Sequence, residues 1–181
     1  MENNIALELA RLHILQGADF IRQLKLLASL PDFHPVVDET GIYSMGGEQN
    51  EDYPSLINAA RQLVRMGYTV FLLPNPKGIR TADFIIESKG IYKMYDLKTI
   101  QGKTSVLDRL LESIGQTNHV VLNICTTYNA RLLATQIRTY FEVNKEALEV
   151  LVLKGRKVIS VTRRFTLNSS YIWLFRDKYE K

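Results

Sequence analysis

The chain has 181 residues, 46% of them hydrophobic and 23% charged, and a formal net charge of +4. That is the composition of an ordinary globular chain, long enough for one sizeable core or for one domain with an appendage. No apolar run approaches the roughly 20 residues that span a membrane, and a single cysteine, Cys125, excludes an internal disulfide and a Cys-based zinc site.

The first residues, MENNIALELA, carry acid early and no basic stretch ahead of an apolar run, so no secretory signal is expected. Cytosolic action fits a chain without disulfides. Residues 3–29 have helical periodicity, with Gly17 placed to divide them into two helices and Pro31 to end them. Residues 1–40 are therefore expected as a helical appendage packed on a main domain of residues 41–181. This N-terminal part is open to three uses, which the sequence does not separate: homodimer formation, cover for a sheet, or binding of a partner. A strand is expected at 41–45. Pro54 then opens a helix that Gly67 stops. YTVFLL, residues 68–73, reads as a strand, and residues 75–81 as a Pro- and Gly-punctuated loop. Two apolar runs follow, 82–88 and 91–98, joined by a tight turn at Lys89-Gly90. Thr104 or Ser105 caps a helix that runs to about Ile114. HVVLNICT is a near-continuous apolar strand of the kind found at a sheet centre, and Cys125 within it is expected as a small core residue. Residues 129–143 read as helix, EVLVLK and KVISVTR as a second hairpin, and 171–175 as one more strand.

The chemistry concentrates in the first hairpin. Asp83 opens one strand; Asp96 and Lys98 close the other. Strand side chains alternate between faces, so Asp96 and Lys98 point the same way. Asp is disfavoured in strands, and a charge on a buried sheet is costly unless it is paired or metal-bound. Two carboxylates and an ammonium at one sheet end form the set that a metal-dependent phosphodiesterase uses. The carboxylates hold a hard cation through oxygen, and the Lys orients water or stabilises developing charge. The structural alternative for this group is a strand-entry Asp bonding its own turn, beside a simple Asp96–Lys98 ion pair.

The pattern Asp83, a twelve-residue spacer and Asp96-Leu97-Lys98 resembles that of the PD-(D/E)XK, or restriction-endonuclease-like, nucleases. The stretch GYTVFLLPNPKGIRTADFIIESKGIYKMYDLKT is similar to the tRNA-nuclease domain at the C-terminus of contact-dependent growth inhibition toxins, through its Gly-aromatic-x-Val strand, its LLP strand end, its ADF start and its acidic-x-Lys-Thr end. The resemblance spans roughly residues 40 to 163. It implies an α/β fold with an αβββαβ core and mixed sheet, here with an extra N-terminal helix and a C-terminal β-hairpin. It also implies a nuclease-like domain over 41–181. The activity implied is a Mg2+-dependent endonuclease, with Mn2+ or Zn2+ as substitutes, acting on RNA, with tRNA as a candidate substrate. The partners implied are nucleic acid, RNA ahead of DNA, and an immunity or antitoxin protein, with no membrane. By the same resemblance Asp83, Asp96, Lys98 and Gln116 are catalytic. Asp83, Asp96, the carbonyl of Leu97 and Glu51 hold metal.

The family often places a further acid on the helix before the first strand. Here the interior of helix 55–66 has none, so Glu51 just ahead of it is the candidate, with Asn58 as a neutral substitute. Lys77, Arg80 and Lys103 border the group and suit a phosphate backbone. A second basic group, Lys154, Arg156, Lys157, Arg163 and Arg164, has a solvated face as its bland reading. Glu87 lies four residues after Asp83 but next to the turn, which argues for solvent. No two of His13, His34 and His119 have metal-ligand spacing. Tyr92, Tyr95 and Tyr128 have core packing as the bland alternative to base stacking. The rival functions are a DNA nuclease of a mobile element or repair system on the same fold, and a binding module for nucleic acid or protein that has lost catalysis.

Overall fold

In the computed structural model residues 2–46, 52–75 and 81–181 are described, and Glu51, Lys77 and Arg80 lie outside them. The protein is mixed α/β. Its elements are α1 (Glu2–Leu12), α2 (Gly17–Ala28), β1 (His34–Pro35), β2 (Ile42–Ser44), α3 (Tyr53–Arg65), β3 (Thr69–Leu72), β4 (Phe84–Ser88), β5 (Ile91–Ile100), α4 (Val106–Leu111), β6 (His119–Ile124), α5 (Ala130–Val143), β7 (Glu149–Lys154), β8 (Lys157–Thr162), α6 (Arg163–Thr166) and α7 (Tyr171–Glu180). The order α3-β3-β4-β5-α4-β6 is the helix and strand order read from the sequence. Two compact units divide the chain, Met1–Tyr95 and Asp96–Lys181. Strand β5 contributes its first half to one and its second half to the other.

In the first unit β2 and β3 run parallel, and β3, β4 and the start of β5 antiparallel, with Phe84 opposite Leu72 on one side and Tyr95 on the other. The β4–β5 turn places both Lys89 and Gly90 at positive φ, 52° and 78°. That is the mirror-type turn whose twist matches flanking strands. Glu87 completes the turn by accepting the Gly90 N–H at 2.6 Å, so its carboxylate is structural. Gly41, at φ 75°, sits under α3, where an added Cβ would come within 3.2 Å of Val64. The N-terminal helices cover strands of this unit. Leu9, Leu12, Leu24 and Leu27 are buried in one cluster with Ile85 and Met94. Of the three uses left open for them, sheet cover is the one this cluster shows. Each buried leucine contributes roughly 1.5–3 kcal/mol relative to exposure.

In the second unit β5, β6 and β7 are parallel, with β8 antiparallel at the end of the ladder. Every residue of β6 after His119 is buried, as its apolar run implied. Ser105 accepts the Asp108 N–H at 3.3 Å to start α4, and Asn129 accepts the Leu132 N–H at 2.9 Å to start α5. The expected strand at 171–175 is instead the start of α7. Tyr171, Phe175 and Tyr179 are buried, while Trp173 is exposed. That four-residue spacing is helical, and it shows only when Tyr179 is counted with the short aromatic run. The chain therefore does not close on its β-hairpin. Cys125 is exposed rather than core, because β6 ends one residue before it.

Candidate active site

Asp96 and Lys98 lie two residues apart on β5, in register with Val120 and Leu122 of β6. Ile100, the next residue on that face, is in the main apolar cluster with Val120 and Leu122. Alternation thus carries both charges onto a face that is hydrophobic one step further along. Asp96 is 2% exposed and Lys98 9%. Lys98 Nζ stands 2.8 Å from Asp96 Oδ2. Yet Oδ2, itself buried, accepts no hydrogen bond of acceptable geometry. The ammonium is close, but not in a hydrogen-bonding direction at Oδ2. A buried carboxylate oxygen in that state is under-satisfied by the protein. Leu97, between them, is half-buried, and so is Thr99.

Asp83 belongs to the first unit, one residue ahead of β4 and half-buried. Its N–H donates to the Tyr95 carbonyl at 3.0 Å, and its carbonyl accepts the Leu73 N–H at 2.9 Å. The backbone at Asp83 is thereby pinned to strand register. Its side chain borders a cavity of about 510 Å3 that is also lined by Tyr53, Glu39, Arg61 and Leu72.

Gln116 is engaged locally. Its Nε2 donates to the Glu112 carbonyl at 3.1 Å and its N–H to Ser113 at 3.0 Å. It finishes the turn after α4, so any catalytic part would have to displace those bonds. Lys103 is exposed. Asn58, the neutral candidate on α3, accepts from Gln62 Nε2 at 2.9 Å. Among the described residues no group of three or more His, Cys, Asp or Glu side chains is placed to hold a metal ion.

The C-terminal basic residues are mostly structural. Arg163 donates to the carbonyls of Phe141, Asn144, Lys145 and Ala147, and so satisfies backbone around the end of α5. Lys154 donates to the Thr126 carbonyl, and Lys157 to the Tyr179 carbonyl at 3.0 Å. The tyrosines are structural too. Tyr95 is buried, Tyr92 packs beneath Lys25, and the Tyr128 hydroxyl donates to Gln136 at 2.8 Å. Sequence reasoning missed the Glu39–Arg61 pair, in which Arg61 Nε donates to Glu39 Oε1 at 2.6 Å. The two residues are 22 apart, and nothing local signals the contact.

No protein-family model matches the chain, and no curated protein matches it. A solved structure described as the CdiA-CT/CdiI toxin and immunity complex from Burkholderia pseudomallei matches with a TM-score of 0.42 and 20% identity, over 64% of this chain and 89% of that one. Among the described residues no helix is long and apolar enough to cross a membrane.

Proposed function

We propose that this protein is a divalent-metal-dependent endonuclease of the toxin type, hydrolysing phosphodiester bonds of structured RNA. The observation that carries the reading is the buried Asp96–Lys98 pair, with a carboxylate oxygen that no hydrogen bond satisfies. Burying such a pair in a strand gains little stability over apolar residues of the same volume. Its presence on the apolar face of β5 therefore supports a chemical role.

The donor set fits a hard cation, since Asp96 offers a carboxylate oxygen without a hydrogen bond and, among the described residues, no cluster of His, Cys, Asp or Glu forms there. Mg2+ or Mn2+ suits it better than Zn2+. Asp96 would hold the ion, with Asp83, the Leu97 carbonyl and Glu51 as the further ligands that the sequence pattern offers. Mg2+ keeps several waters, so two carboxylates suffice. When bound, such an ion polarises the phosphoryl oxygens and lowers the pKa of a water. Lys98, fixed beside Asp96, keeps a positive charge where negative charge develops on phosphorus. Hydrolysis of this kind needs no 2′-hydroxyl, so RNA is favoured over DNA on shape. The exposed segment Gln101–Lys103 is too short to wrap a duplex groove and suits a folded RNA or an unpaired end.

The test is parallel digestion of tRNA and duplex DNA by wild type and Asp96→Asn, in Mg2+ and in EDTA. Wild type should cut tRNA at lower concentration than DNA, only with metal, and Asp96→Asn should cut neither. Cutting of duplex DNA with tRNA intact would make it a DNA nuclease. A second reading, a binding module without catalysis, draws on the lack of a three-acid cluster among the described residues. A folded protein that binds RNA but neither metal nor cuts would establish it.

A further inference from the structure

The cavity in the first unit has features of its own. Its volume, about 510 Å3, lies within the range of small-molecule pockets. Val36, Leu56 and Leu72 give it apolar walls, and Tyr53 adds a half-buried aromatic ring. Among the described residues its charged lining is Glu39, Asp83 and Arg61, two negative groups against one positive, which disfavours a phosphate inside. Glu39 is largely withdrawn from solvent, its side chain 14% exposed, whereas Arg61 is 53% exposed and belongs to the mouth. The guanidinium Nε and Nη2 both approach Glu39 Oε1. A carboxylate has about four acceptor sites, so the Glu39 carboxylate keeps capacity for N–H donors beyond the two guanidinium contacts.

A ligand that suits this lining has apolar faces, no charge, and N–H donors on one edge. An unpaired nucleobase meets the first two conditions. Guanine meets the last best, with adjacent ring and exocyclic N–H groups. Uracil would set its carbonyl oxygens against the carboxylate.

We infer that this cavity seats an unpaired guanine base of the RNA, its N–H edge on Glu39, its ring against Tyr53 and its phosphate at Arg61. The inference rests on the proposed nuclease reading for the class of ligand. It would make Glu39 a specificity-determining residue separate from the metal-binding carboxylates.

The experiment is equilibrium binding of GMP, IMP and UMP in EDTA, so that neither metal nor cleavage enters. IMP lacks only the exocyclic amine. Wild type should bind GMP about tenfold more tightly than IMP, the worth of one hydrogen bond to a charged acceptor, and UMP more weakly still. Glu39→Gln should lose about tenfold for GMP and abolish the GMP–IMP difference. Tyr53→Leu should weaken all three nucleotides alike, with melting curves showing that each variant is folded. Arg61 is half exposed, so its pairing with Glu39 contributes little to folding. Should Glu39→Gln fail to fold, the GMP-to-IMP ratio of wild type decides alone. Equal binding of GMP and UMP, no GMP binding at millimolar concentration, or a GMP preference intact in folded Glu39→Gln would each overturn the inference. An inactive nuclease that prefers GMP would leave it standing while sinking the nuclease reading. RNA cleavage without any GMP preference would do the reverse.

Discussion

Removing Lys98 is the most telling single change. Lys98→Ala leaves Asp96, 2% exposed, with no counter-charge within the 2.8 Å that Nζ now occupies. Breaking a buried pair from one side costs about 3–5 kcal/mol. At roughly 2–4 °C per kcal/mol for a chain of this length, the melting temperature in EDTA should fall by about 6–20 °C. The reverse change, Asp96→Asn, should cost less, because Lys98 is nearer the surface and its long stem lets the ammonium reach water. Metal then distinguishes a catalytic site from a structural pair. A divalent ion supplies the charge that Lys98→Ala removed, so Mg2+ at a hundredfold excess over that variant's Kd should return about 2.7 kcal/mol. At the same Mg2+ concentration the gain of wild type should be smaller, and Asp96→Asn should gain nothing. The assay is thermal melting of the three proteins with EDTA and with Mg2+, followed by tRNA digestion. A Lys98→Ala protein that melts within about 2 °C of wild type in EDTA, or an equal Mg2+ shift in Asp96→Asn, would refute the reasoning.

Other outcomes follow from particular contacts. Mg2+ or Mn2+ should raise the melting temperature of wild type but not of Asp83→Asn; equal shifts would place the ion elsewhere. Arg163→Ala strips donors from four carbonyls around the end of α5 and should cost about 2–3 kcal/mol by chemical denaturation, with activity per folded molecule unchanged. The Tyr171 phenol, which donates to the Ala134 carbonyl at 3.1 Å, is pushed upward by burial against a smaller opposing effect of Arg138, and burial also raises Tyr179. The folded state therefore holds these protons longer than the unfolded chain. Their contribution is fully present below the ordinary phenol value, about 10, and is lost as pH rises above it. Stability should be flat to about pH 9.5 and fall beyond pH 10, with a shallower fall in Tyr171→Phe.

Much of the local structure was legible because it is written in neighbouring residues. Ser105 and Asn129 cap helices through bonds three residues away, and Lys89-Gly90 turns a hairpin through its own backbone dihedrals. The apolar run of β6 announces a strand covered on both faces. Alternation along β5 puts Asp96 and Lys98 on one face whatever surrounds them. The aromatic run at 171–175 shows where this fails, since five residues fit either period and burial by the rest of the second unit made it a helix.

Tertiary structure alone decided how deeply Asp96 is buried, that Lys98 meets its Oδ2 without a hydrogen-bonding direction, and that Arg163 is occupied by carbonyls 16 to 22 residues away. It also decided that Cys125 faces water and that Glu39 and Arg61 meet across a cavity. The difference has one physical origin. Backbone dihedrals, caps and strand alternation act over a few residues, and so they can be read from the chain in order. Desolvation and ion pairing depend on which distant segments close over a side chain, and the packing of the whole unit sets that.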